Sequence, residues 1–92
     1  MNEDPKIEWK SEGRAATLIC KDKNKIAEVY VEMSGVPEYD GLVWLEDLKE
    51  WKEPKGVKIT KEEEDRILKA ILVWESNHRI RLDIPLSIRK RY

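Results

Sequence analysis

One strongly marked amphipathic helix constrains the fold of this sequence more than any other feature. Thr60 followed three residues later by Glu63 forms a capping box, in which each residue satisfies a backbone N–H group at the start of a helix. Asn77 favours the left-handed backbone conformation that often ends a helix. The pattern therefore predicts a helix over residues 61–77 with one apolar stripe that needs a partner surface. The apolar residues of this stripe are Ile67, Leu68, Ile71 and Leu72.

The chain before the helix alternates between apolar and polar residues, which is typical of strands that are covered on one face only. In the third of these segments Glu28, Tyr30 and Glu32 share the face opposite the apolar one. Residues 46–53 fit either a helix or an irregular strand, and both readings stay open. The expected strands cover residues 6–10, 15–21, 26–33 and 42–45.

A fifth strand is expected after the helix, because apolar residues alternate with polar ones over residues 79–89. Pro85 lacks a backbone donor and so marks an edge strand or a break. The resulting order, β-β-β-β-α-β, predicts an α+β fold in which an antiparallel sheet of about five strands carries the helix on one face. The 92 residues suffice for one domain, and residues 89–92 are expected to form a loose basic tail.

Composition excludes several classes of function. With 18 Lys and Arg against 19 Asp and Glu, the chain lacks the basic balance usual for a dedicated nucleic-acid binder. No apolar run approaches the roughly 20 residues of a membrane span, and the acidic start of the chain does not resemble a signal peptide, so a cytoplasmic protein is expected. One cysteine and one histidine are too few for a zinc site with about four ligands, and no cofactor motif is present. We therefore expect neither a metal nor a cofactor.

The sequence also offers little for catalysis. Cys20 and His78 are the one thiol and the one imidazole of the chain. Cys20 lies in an apolar strand, where it should pack as a small hydrophobic residue, and His78 lies at a helix end, where a cation is common. The prediction is a protein that is not an enzyme.

Charge is distributed unevenly along the chain. Residues 28–53 contain eight acidic residues against two lysines, a net charge of −6, whereas residues 79–92 have a net charge of +4. The acidic stretch is interleaved with tyrosine and tryptophan, a composition that suits the binding of a basic protein. Charges at this density are equally compatible with a solvated surface, and both interpretations stay open.

The second half of the chain resembles the small cytosolic immunity proteins of bacterial polymorphic-toxin and contact-dependent growth inhibition systems. The resemblance consists of Trp-Lys-Glu-Pro at residues 51–54, the capped helix start at residues 59–63, the helix that follows, and the closing segment 79–84. It implies a protein that binds and neutralises the toxin domain of an effector and does no chemistry. Many such toxins are nucleases with basic substrate sites, which an acidic surface can occupy.

Contact residues vary with the toxin in such proteins, so the expected site follows from charge and exposure alone. Trp51 has two possible roles, as an anchor at the interface or as a core residue beneath Pro54. The alternatives to toxin inhibition are a protein-interaction or regulatory module and a weak nucleic-acid binder that uses residues 79–91. No membrane or small-molecule partner is expected. The predicted toxin-binding residues are Glu38, Tyr39, Asp40, Glu46, Asp47, Glu50, Trp51 and Glu53.

Overall fold

The computed structural model of the protein describes residues 4–92. Its strands form one antiparallel sheet in chain order, because the first three strands are joined by two-residue connections that suit hairpins. Gly13 and Lys23 take positive φ values of 64° and 59° in these turns. The strands are β1 (Lys6–Glu12), β2 (Ala15–Asp22), β3 (Lys25–Met33) and β4 (Gly41–Val43).

The main helix, α1, spans Lys61–His78, and its predicted capping box is confirmed. The Thr60 hydroxyl accepts the N–H of Glu63 at 3.1 Å, while the Glu63 carboxylate accepts the N–H of Thr60 at 2.9 Å. The predicted helix end at Asn77 is wrong, since Arg79 takes the left-handed conformation with φ of 54°. His78 stays helical, where its ring stacks on Trp74 at 4.5 Å.

Helix α1 packs on one face of the sheet, so the predicted two-layer α+β architecture is confirmed. The stripe residues Ile67 and Ile71 are fully buried, and Leu72 is partly buried. Asp22 is the buried acidic residue of the sheet, and it binds the Arg66 guanidinium at 3.1 Å. The apolar core consists of Ala16, Leu18, Cys20, Ala27, Val29, Val31, Leu48, Trp51, Ile67, Leu68, Ile71, Trp74, Leu82 and Ile84.

The prediction of a fifth strand is wrong within the described residues 4–92. Leu82 forms a single parallel bridge with Gly41, and no ladder extends from it. Pro85 then begins a short helix, α2 (Leu86–Arg89), because its fixed φ and missing N–H suit a helix start. The alternation of residues 80–84 reflects an extended segment that buries Leu82 and Ile84 without joining the sheet as a strand.

Two residues of the predicted basic tail, Arg89 and Tyr92, make specific side-chain contacts. Arg89 donates two hydrogen bonds of 2.7 Å to the buried carboxylate of Glu75, which also accepts the N–H of Leu82 at 2.7 Å. The Tyr92 hydroxyl donates to Asp65 at 2.7 Å. Arginine can make such paired bonds because its guanidinium is a planar fork, a property that charge counting does not capture.

Candidate protein-binding surface

The segment after β4 follows the edge of β3 through scattered backbone hydrogen bonds, without forming a strand. Trp44 donates its N–H to the Tyr30 carbonyl at 2.9 Å, and Ile26 exchanges backbone hydrogen bonds of 2.8 and 3.1 Å with Glu53. Between these points lies the 3-10 turn Leu45–Asp47, and the Asp47 carboxylate accepts the Tyr30 N–H at 3.1 Å. Residues 46–53 match neither of the two readings fully, since the end of the 3-10 turn is followed by turn residues with isolated backbone bridges at Glu50 and Glu53.

The face of the sheet opposite α1 has no second layer among residues 4–92. Glu28, Tyr30 and Glu32 alternate along β3 on this face, as the sequence predicts. Tyr30 is 43% exposed, and its ring meets that of Trp44 edge to face at a centroid distance of 5.4 Å and an interplanar angle of 67°. This geometry is the preferred one for an aromatic pair, so it gives the open face a fixed apolar centre.

Carboxylates surround this aromatic pair. Glu28 and Glu32 flank Tyr30 on β3, while Glu46 and Asp47 follow Trp44 in the 3-10 turn. Glu28 is neutralised by Lys52 at 2.8 Å. Glu32 and Glu46 are exposed and have no ion-pair partner in the described part of the chain. We call this surface the aromatic–acidic patch; it comprises Glu28, Tyr30, Glu32, Trp44, Glu46 and Asp47.

The predicted toxin-binding residues do not form one cluster. Glu46 and Asp47 belong to the patch. Asp40 lies beside Ser34, just past the Met33 end of β3, about 13 Å along the strand from Tyr30 at the usual rise per residue. Glu53 lies beside Ile26, about 13 Å away in the other direction.

The residues around Asp40 are partly neutralised. Glu38 and Tyr39 are exposed in the loop between β3 and β4, whereas Asp40 accepts hydrogen bonds from the backbone and the guanidinium of Arg81. These hydrogen bonds hold the pKa of Asp40 below its ordinary value. Because Arg81 already balances its charge, Asp40 is a weaker candidate for pairing with a partner's cation.

Trp51 occupies the core position that the sequence left as its second possible role. It is 2% exposed, and its indole N–H points to the Glu63 carboxylate at 3.4 Å. The Lys25 ammonium lies 5.5 Å from the ring centroid and 2.6 Å from the same carboxylate. In the folded chain Trp51 therefore supports the start of α1 and offers almost no surface to a partner.

Four lysines offset the acidic charge of residues 44–58, the segment that runs beside β3 towards Ile26. Glu50 and Glu53 are exposed, yet the backbone of Glu50 pairs with that of Lys58, which brings the following segment alongside. Residues 44–58 contain four acidic residues and four lysines, so their net charge is zero. The predicted balance of −6 ended at Glu53, so it included Lys49 and Lys52 but not Lys55 and Lys58. The sequence feature that indicates the aromatic–acidic patch is the alternation along β3, which places Glu28, Tyr30 and Glu32 on one face.

The thiol and the imidazole occupy separate environments. Cys20 is fully buried, as predicted, and burial raises the pKa of its thiol to about 12. His78 is exposed at the end of α1, with Nδ1 2.9 Å from the carbonyl oxygen of Trp74. Among residues 4–92 no group of three His, Cys, Asp or Glu side chains is arranged to hold a metal ion.

The basic end of the chain borders an open groove of about 610 Å³ between the β3–β4 loop and the end of α1. Three arginines line it, of which Arg81 pairs with Asp40 and Arg89 with Glu75. Internal carboxylates thus take up much of the positive charge that the sequence assigned to a nucleic-acid surface.

In comparisons with known proteins, no family model, characterised protein or solved structure matches the chain. In the described part of the chain, no helix combines the length and the apolar character that crossing a membrane requires.

Proposed function

We propose that this chain is an immunity-type inhibitor that binds a basic toxin domain and contacts the cationic surface of that domain through the aromatic–acidic patch. The observation that carries the proposal is the Tyr30–Trp44 pair on an uncovered sheet face, bordered by the unpaired carboxylates of Glu32 and Glu46. The partner class comes from the resemblance of the second half of the chain to such inhibitors. A nuclease domain is the expected partner, located in the cytoplasm.

The chemistry of the patch supports this partner class. Aromatic side chains supply much of the binding free energy in protein interfaces, since they bury large areas with few rotatable bonds. Carboxylates around them accelerate encounter with a basic partner and reject an acidic one. A nuclease must hold phosphates with lysine and arginine, so its substrate site has the complementary charge.

The first test is co-expression with the toxin domain encoded directly upstream of this chain. We expect growth to be rescued and a stable complex to be recovered by pull-down. The double variant Glu32→Lys/Glu46→Lys should weaken the complex at least about tenfold, because it places two cations against the basic site. Both positions are exposed, so thermal unfolding should stay close to that of the parent chain.

A matched control reverses the same number of charges at the flanks of the edge. Glu38→Lys/Glu53→Lys changes the net charge equally, and both residues are exposed. We expect a smaller loss of affinity than for the patch variant. Equal losses of affinity in the two double variants would mean that net charge, rather than the patch, determines binding. Absence of rescue and of a complex would favour a regulatory interaction module, and RNA or DNA binding that falls steeply with salt would favour the nucleic-acid alternative.

A further inference from the structure

Strand β1 forms one edge of the sheet, opposite the edge that residues 44–53 cover. It pairs with β2 on one side, over the whole range Lys6–Glu12. Among residues 4–92, none of the backbone hydrogen bonds outside helices and strand ladders involves this strand. A seven-residue edge with open donors and acceptors can accept another strand.

The turn fixes which residues of β1 point their backbone groups outward. Glu12 and Ala15 close a two-residue connection, so they form a hydrogen-bonded pair, and such pairs alternate with non-hydrogen-bonded ones along an antiparallel ladder. Lys10, Glu8 and Lys6 therefore bond to β2. Ile7, Trp9 and Ser11 present their N–H and C=O groups to the free edge.

The charges of β1 are self-complementary in an antiparallel register centred on Trp9. In this register Trp9 faces Trp9 of a second copy, Lys10 faces Glu8, and Glu12 faces Lys6. Each of the charged pairs joins opposite signs, and the pairs of Ile7 with Ser11 and of Trp9 with itself supply about six backbone hydrogen bonds. We propose that a second copy of this chain binds at the β1 edge in this register and extends the sheet across a two-fold axis.

The neighbouring registers are disfavoured by the same residues. A shift of the centre to Glu8 places two Glu8 side chains face to face and sets Lys6 against Lys10. A shift to Lys10 places two Lys10 side chains face to face and sets Glu8 against Glu12. Like charges directly opposite one another destabilise a strand pair, so the charge order selects the centre at Trp9.

The residue at the centre gains contacts in the dimer. Trp9 is only partly buried, and it stacks on Trp74 of α1 at a centroid distance of 5.4 Å. Directly opposed residues share a face of the sheet, so the two Trp9 rings lie beside one another on the helix side. The pairing covers aromatic surface that α1 leaves accessible.

Analytical ultracentrifugation of the 92-residue chain tests the proposal over about 5 μM to 0.5 mM, since mass action must shift a reversible dimer over such a range. We expect dimers that grow with concentration. Ser11→Pro should abolish them, because proline removes an outward N–H while the bonds to β2 do not use it. Ser11→Ala retains the N–H and should dimerise like the parent chain.

Charge-reversed variants test the register itself. Glu8→Lys and Lys10→Glu should each weaken self-association at least about tenfold, since each sets like charges opposite one another twice. Their mixture should form a heterodimer, in which every pair again joins opposite signs. A chain that stays monomeric throughout the range, a dimer that Ser11→Pro leaves intact, or a mixture without heterodimers would overturn the proposal. Circular dichroism confirms that each variant is folded before it is compared.

Discussion

At the scale of single residues, Glu63 joins three parts of the molecule. Its carboxylate caps α1 through the Thr60 N–H, binds the Lys25 ammonium at 2.6 Å and lies 3.4 Å from the Trp51 indole nitrogen. The Lys25 ammonium and the Thr60 N–H hold the pKa of Glu63 at about 2, below its ordinary 4.5. The capping box was visible in the sequence, whereas the contacts with Lys25 and Trp51 were not, since they join residues from distant segments.

This arrangement predicts a pH-dependent contribution to stability. Because the folded-state pKa is the lower one, ionised Glu63 stabilises the fold above about pH 4.5, and the contribution is lost as the pH falls towards 2. We expect Glu63→Gln to cost about 1–2 kcal/mol at pH 7 and progressively less below pH 4.5, measured by urea unfolding across this range. Glu62→Gln, which removes no hydrogen bond from the described residues, should cost less than about 0.5 kcal/mol. A cost for Glu63→Gln that stays constant from pH 7 to 3 would contradict this role.

At the scale of elements, Gly41 determines how β4 meets the segment after α1. A Cβ at this position would lie 2.7 Å from Cγ1 of Val31 and 3.1 Å from Cδ2 of Leu82, so the neighbours would have to move. We expect Gly41→Ala to lower the free energy of unfolding by about 1–3 kcal/mol, measured by urea denaturation. Gly35→Ala is the matched control in the preceding loop, where a Cβ meets nothing within 4 Å. An equal effect at both positions would show that backbone freedom, rather than close packing, is what Gly41 supplies.

The same element explains what could and could not be predicted from sequence. Strands β1 to β3 and helix α1 follow from local alternation, turns and caps, each of which acts within a few residues. The segment after α1 has the alternation of a strand, but its position depends on contacts with Gly41 and on the Glu75–Arg89 pair, residues that are distant along the chain. The sequence left the role of Trp51 open for the same reason. Its ring contacts Lys25 and Glu63, which are distant from it along the chain. Within the candidate site, Glu46 and Asp47 were predicted, while Lys55 and Lys58, which lower the net acidic charge near Glu50 and Glu53, lie beyond the stretch whose charge was counted.

At the scale of the whole molecule, folding redistributes the charge asymmetry of the chain. Asp40 pairs with Arg81, Glu75 with Arg89 and Glu28 with Lys52, so carboxylates and cations that are far apart in sequence neutralise one another. Among the carboxylates left without an ion pair, Glu32 and Glu46 lie beside the Tyr30–Trp44 pair on the open sheet face. The open sheet face, rather than the net charge of a stretch, is therefore what supports a binding role.

The stability of the whole domain depends on the apolar core between the sheet and α1. Among residues 4–92, α1 is the one long element that covers this face of the sheet. Ile71 is fully buried against the sheet, whereas Val73, two residues later, is 52% exposed. We expect Ile71→Ala to cost about 3 kcal/mol, a large part of the roughly 5–14 kcal/mol typical of a domain of this size. Val73→Ala should change stability by less than about 0.5 kcal/mol, because it removes little buried surface. Thermal and urea unfolding measure both. Since Ile71 belongs to the buried stripe between the two layers and Val73 does not, similar costs at the two positions would mean that α1 does not pack on the sheet as described.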